Sequence, residues 1–145
     1  MMNRLHRIAY CSRNCIAPAD LPRQLRAILD VARRKNPILG VTGALLYNDG
    51  SFAQVLEGPL SGIEPIFEAI QCDPRHSHVV VIASGPIEAR SFEQWSMAFA
   101  GRRDLGGIPE AARAFEQTFA GVEGGGQELL RLLHDLVLDE GEWAA

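Results

Sequence analysis

The run from Ile38 to Pro59, "ILGVTGALLYNDGSFAQVLEGP", constrains the fold of this chain more than any other segment. Two β-rich arms flank Asn48-Asp49-Gly50, and Asp-Gly between such arms is a strong hairpin signal. In the second arm Phe52, Gln54 and Leu56 alternate, so the three side chains point to one face of the sheet. If that face is the core, a primary amide lies among apolar groups. Burying an amide without partners costs about 2–7 kcal/mol, so something must hydrogen-bond to Gln54.

The flanking segments supply the rest of a two-layer fold. "RLHRIAYCSR" carries Leu5, Ile8 and Tyr10 in an extended pattern and reads as a first strand. "APADLPRQLRAILDVARRKN" spaces Leu21, Leu25, Ile28, Leu29 and Ala32 as a helix, with Asp20 as N-cap and Asn36-Pro37 as its stop. After the hairpin, "LSGIEPIFEAIQCD" places Ile63, Ile66, Phe67 and Ile70 on one helical face, and Ser61 with Glu64 makes a capping box that marks the helix start. "HSHVVVIASGPI" is a fourth strand whose continuous apolar run predicts burial on both faces. "FEQWSMAFAG" is a fifth, with Trp95, Met97 and Phe99 on one face.

The order β-α-β-β-α-β-β is an α+β, ferredoxin-like arrangement with one extra strand, its sheet covered on one face by two helices. "RRDLGGIP" reads as a linker, followed by helices over 109–119 and 127–139 separated by "GVEGGG". In the last helix Leu129, Leu132, Leu133, Leu136 and Val137 form an apolar stripe. That stripe either covers the sheet's other face or meets a partner, and the two readings are compatible.

A length of 145 residues suits one domain. The formal charge of -4, with basic residues scattered along the chain, argues against direct nucleic-acid binding. No apolar run approaches the ~20 residues of a membrane span, and the N-terminus lacks a signal peptide's apolar segment. Three cysteines without framework spacing fit a reducing compartment, so the expected location is the cytoplasm. His6, Cys11 and Cys15 match no standard metal spacing, and no metal is expected. A cluster such as Arg75, His76 and His78 after a helix is usually solvated or capping, and "GVEGGG" lacks the lysine of a phosphate loop. Glu57 with Gly58 and Pro59 reads as shaping the turn into the second helix.

On this topology Tyr10 and Gln54 lie on separate strands of one sheet, and Trp95 and Met97 on a third. Asn36 closes the first helix, and Arg75 and His76 follow the second. Polar groups from such scattered places converge on the gap between helices and sheet, which suggests a ligand. The runs "RIAYCSR", "NPILGVTGALLYNDGSFAQVLEG", "IQCDPRHSHV" and "RSFEQWSMAF" resemble, in order and spacing, the BLUF domain, a blue-light sensor that uses flavin.

The resemblance covers residues 4 to about 100. It implies a non-covalent flavin, usually FAD, with FMN or riboflavin as alternatives, its ring between the two helices against the sheet. It puts Tyr10 beside Gln54 and Gln54 beside the flavin N5 and O4. It also puts the Asn36 amide at the ring's polar edge, Arg75 and His76 near O2, and Ser12 and Asp73 near the pocket. Trp95 and Met97 match the pair assigned to exchange positions as the signal is passed on. Lys35 departs from the pattern, standing where many relatives carry Asn or His, so a contact to the flavin side chain or phosphate would be charged here. Residues 1–100 then form the photosensor domain, and 101–145 a linker and helices for output or oligomer contact.

The chemistry follows from the donor inventory. A flavin edge offers acceptors at N5, O4 and O2 and a donor at N3, while a Gln amide brings a carbonyl and an NH2. Rotating or tautomerising the Gln54 amide changes its hydrogen bonds without breaking the fold, which Glu or Leu could not do. The expected cycle has blue light drive an electron, then a proton through Gln54, from Tyr10. Recombination leaves Gln54 rearranged, with a stronger bond to O4 and a slightly red-shifted absorption that decays in the dark. Nothing is turned over, so the reading is a photoreceptor, not an enzyme, that signals to a separate protein partner and forms a homo-oligomer. The rivals are a ferredoxin-like regulatory module without photochemistry and an acylphosphatase-like hydrolase, for which "RIAYCSRN" offers no convincing phosphate cradle.

Overall fold

The hairpin turn forms as its residues demand: Asp49 has φ +44° and Gly50 φ +89°, the two positive values of a type I′ turn. The computed structural model describes residues 4–93, 97–102 and 108–139. Within them lie β1 (Leu5–Asn14), α1 (Leu21–Lys35), β2 (Thr42–Asn48), β3 (Ser51–Pro59), α2 (Leu60–Gln71), β4 (His76–Ile87), β5 (Ala98–Arg102), α3 (Pro109–Phe119) and α4 (Gly125–Asp139). The strands form one sheet in the order β4-β1-β3-β2-β5. β5 runs parallel to β2, and the other neighbours are antiparallel.

The register sets one row across all five strands: Val81, Tyr10, Gln54, Leu45 and Phe99. Alternation then separates two cores. On the inner face Leu45, Phe52, Leu56, Met97 and Phe99 pack with Leu21, Leu25 and Leu29 of α1 and Ile63 of α2. On the outer face Ala9, Cys11, Ala44, Leu46, Ala53, Val55, Ala98 and Ala100 meet Ala111, Ala114 and Phe115 of α3 and Leu129, Leu133 and Val137 of α4. The C-terminal stripe is thus spent on covering the sheet, the first of its two readings. α2 lies close against the turn Pro37–Leu39, because a Cβ on Gly62 would sit 2.2 Å from the Leu39 carbonyl oxygen.

Several local expectations give way. β4 is an edge strand with no buried residue, and Val81 is 48% exposed, so its apolar run expresses the strand preference of β-branched residues and not burial on two faces. Asp20 occupies the N-cap position of α1 without a side-chain cap bond; its carboxylate accepts from Arg23 at 3.1 Å instead. α2 starts at Leu60 with Pro59 as N-cap, so Ser61 lies inside the helix and the Ser61–Glu64 capping box does not form. β5 begins only at Ala98; Met97 and Phe99 do share the inner core, while Trp95 lies outside the described residues. α4 takes in Gly125 and Gly126, which shortens the expected linker. Cys11 packs in the outer core, where burial pushes its thiol up to about 11, whereas Cys15 is exposed.

Candidate functional site

A cavity of about 350 Å³ opens between α1, α2 and the inner face of the sheet. Ile28, Ala32, Leu45, Phe52, Ile66 and Ile70 give it apolar walls. Against them stand Tyr10, Lys35, Asn36, Gln54, Asp73, Arg75, His76 and Met97. Apolar walls with a few placed polar groups are the usual build of a small-molecule site, and the volume lies in the range of such sites.

Tyr10 and Gln54 face each other across the β1–β3 ladder, and the Tyr10 hydroxyl donates to Gln54 Oε1 at 2.5 Å. Gln54 Nε2 donates in turn to Met97 Sδ at 3.6 Å. The three residues are 4%, 5% and 0% exposed, so water does not compete for these bonds. The amide direction follows from its neighbours. A thioether can only accept, so the NH2 faces Met97 and the carbonyl takes the phenol proton. Burial first, and the nearby Asp73 carboxylate second, push the Tyr10 phenol well above its ordinary value of 10.0. It is therefore a neutral donor at physiological pH. Phe67 packs against the Tyr10 ring at 5.6 Å between centroids.

The far end of the cavity is held by a second network. Arg75 grips Asp73 through Nε and Nη2 at 2.6–3.0 Å and reaches Gln24 Oε1 at 3.2 Å. The hydrogen bonds from Arg75 hold the Asp73 carboxyl below its usual range. The two ring nitrogens of His76 lie 2.7 Å from Ser12 Oγ and 2.6 Å from the Ile70 carbonyl. A carbonyl only accepts, so Nε2 carries a proton there. His76 thus ties β1 to the end of α2, while the exposed His78 pairs with Ser77 and faces elsewhere. Asn36 is 2% exposed at the end of α1, and Lys35 is exposed at the cavity mouth. Ser12 is fully buried and touches His76 from behind.

The structure therefore brings Tyr10, Gln54, Met97, Asn36, Asp73, Arg75 and His76 around one cavity, with Ser12 behind it. Sequence reasoning missed Arg33, whose Nε donates to the Met97 carbonyl at 3.1 Å, and Gln24, which steadies Arg75. It also misplaced Glu57. This carboxylate is completely buried and binds Arg7 and the backbone N–H groups of Ser91 and Phe92, far from any role in starting α2. Ala53, Val55 and Glu57 alternate along β3, so a carboxylate on that apolar face was the available signal.

Comparison with known proteins shows the family of the chain. The family model described as "BLUF: Sensors of blue-light using FAD" matches residues 5–98. This chain belongs to the BLUF family. The photoactivated adenylate cyclase subunit beta of Euglena longa is 38% identical over 86 residues, which are 59% of this chain and 10% of that protein. The chain thus spans about a tenth of the length of that curated relative. Among solved structures, the dark state of BlrB, a BLUF protein, superposes with a TM-score of 0.74 at 33% identity, covering 96% of this chain and 98% of that one. The photo-activated state of BlsA gives a TM-score of 0.74 at 33% identity, over 92% and 95% of the two chains. BLUF domains are flavin-binding blue-light sensors that relay a signal to effectors, and the ferredoxin-like α+β fold expected for this chain is the fold of this family.

The cavity fits that cofactor on its own chemistry. Its apolar walls suit the faces of a flat aromatic ring, while the Gln54 and Asn36 amides bring both donors and acceptors to a ring edge that carries both.

Proposed function

We propose that the chain senses blue light through a relay made of Tyr10, Gln54 and Met97, with FAD in the cavity between α1 and α2. The observation that carries this reading is the buried, unbroken chain of hydrogen bonds from the Tyr10 hydroxyl through the Gln54 amide to the Met97 thioether. When bound, the flavin supplies the blue-light absorption and, once excited, the acceptor for one electron. Tyr10 is the donor: its phenol acidifies on oxidation, and the proton has a receiver 2.5 Å away at Gln54 Oε1. Protonated there, the side chain can no longer accept from the phenol in its present orientation, and it turns about its Cγ–Cδ single bond. When proton and electron return to Tyr10, the amide is left turned, with Nε2 toward the phenol oxygen and Oε1 toward Met97. The two orientations differ by the turn of one side chain, so the two states are separated by a barrier and not by unfolding.

Asn36, Arg75 and His76 take the ring's polar edge in this reading. Arg75 is prepared for that by its grip on Asp73, and His76 would exchange or share one of its two present bonds. Lys35 at the mouth offers a cation to a nucleotide phosphate, which favours FAD or FMN over riboflavin. The signal leaves through Met97 and β5 toward α3 and α4, whose residues share the outer core with Ala98 and Ala100. Residues 101–145 act as relay in this scheme, and the reader is a protein partner or another copy of the chain. The photosensor does not itself turn over a substrate.

The test is the visible absorption of FAD-loaded protein before and after a blue pulse. A flavin spectrum that moves slightly to the red and relaxes in darkness is expected. A protein that takes up none of FAD, FMN or riboflavin would instead support a regulatory module on the same fold.

A further inference from the structure

We propose that Glu57 is a positioning residue of the light-sensing relay, holding Met97 against Gln54 from the opposite face of the same strand. This rests on the reading of Tyr10, Gln54 and Met97 just given. Glu57 is 0% exposed. Its Oε2 accepts from Arg7 Nε at 2.9 Å and Nη2 at 2.6 Å, and its Oε1 accepts from the N–H groups of Ser91 at 2.8 Å and Phe92 at 3.0 Å. Arg7 also reaches Ser91 Oγ at 2.9 Å. From the next residue, Arg90 donates to the Glu57 carbonyl at 3.0 Å, to Thr42 Oγ1 at 2.9 Å and to the Gly40 carbonyl at 2.8 Å. Residues 90–92 are thereby stitched to the end of β3.

That stitching has a consequence for the cavity. Phe92 lies in the outer core with its ring 5.6 Å from His134 of α4, whereas Met97 lies in the inner core against Gln54. Phe92 and Met97, five positions apart in the sequence, thus lie on opposite faces of the sheet. Glu57 holds the Phe92 backbone on the outer side, and Arg33 holds the Met97 carbonyl on the inner side. Both Glu57 and Gln54 sit on β3, so in this proposal the hold on residues 91 and 92 and the Gln54 amide share one strand. With Met97 held there, the sulfur accepts from the NH2 and favours the amide direction seen here. The turned amide would present its carbonyl oxygen to the same sulfur, two electron-rich atoms with no proton between them. Met97 would have to withdraw against the hold on residues 91 and 92. Glu57 thus shortens the life of the lit state.

The experiment is dark recovery of the red-shifted state in full-length, flavin-loaded protein carrying Glu57→Gln. The amide keeps the size of the carboxylate but cannot accept on both sides at once, so it loses either Arg7 or the two backbone donors. Recovery should slow by about tenfold. In a Met97→Leu background, which keeps the bulk but removes the sulfur, the same change should alter recovery by no more than about twofold, since the effect runs through Met97. If Glu57→Gln does not fold, Arg7→Lys loosens the same carboxylate and carries the same expectation. Should the wild-type protein show no red-shifted state, the underlying reading falls and the positioning role with it. Should the wild type cycle while the variant recovers at the wild-type rate, or slows equally with Leu at position 97, the positioning role alone is wrong.

Discussion

Replacing Gln54 with Leu should leave a protein that still binds flavin and no longer forms a red-shifted state. Leu matches the apolar inner face and fills nearly the same space, so the cavity walls survive. What disappears is the amide, the single group that touches both the Tyr10 hydroxyl and the Met97 sulfur. The Tyr10 hydroxyl is then buried without its acceptor, at a cost of about 1–3 kcal/mol. Against a typical domain stability of about 5–15 kcal/mol, the fold persists. Visible spectra before and after blue light check the outcome, and urea unfolding checks the stability. A normal reversible red shift in Gln54→Leu would remove Gln54 from the mechanism.

Tyr10→Phe should abolish the same state by a different route, and the two variants should be distinguishable. Phenylalanine keeps the ring packed on Phe67 but lacks the easily oxidised phenol and its proton. With the electron donor gone, flavin fluorescence should rise severalfold and no red-shifted species should accumulate. In Gln54→Leu the phenol remains, so the fluorescence should stay close to the wild-type level. The pair thus separates the electron donor from the amide switch. Equal fluorescence in Tyr10→Phe and the wild type would show that the phenol does not quench the excited flavin.

Much of this architecture is legible in the chain because each element carries its own punctuation. Asp49-Gly50 imposes the turn, Asn36-Pro37 ends α1, and the period-two pattern of Phe52, Gln54 and Leu56 puts the amide on the inner face. The position of β4 was not legible, because Val79, Val80 and Val81 read alike in a central strand and at an edge; strand order is decided by long-range pairing. Helix starts failed for a related reason. Asp20 and Ser61 are suitable caps by type, but Arg23 claims the first, and Pro59 already begins the helix that contains the second.

The site was half legible. Tyr10 and Gln54 emerge from alternation and are joined by the register itself. Arg33 acts on Met97, Gln24 on Arg75 and Glu57 on Ser91 and Phe92, partners 34 to 64 positions away, and no local pattern announces such pairings. Glu57 carried the same signal as Gln54, a polar residue at an apolar position of β3, on the other face of the strand.

The central claim is that the Gln54 amide turns, and light-minus-dark infrared spectroscopy at the glutamine side-chain carbonyl tests it most directly. With glutamine carrying a 13C-labelled side-chain carbonyl, the wild-type protein should give a label-sensitive difference band that decays together with the red shift. The Gln54→Leu protein should give none. A red-shifted wild-type state without any label-sensitive carbonyl band would contradict the account.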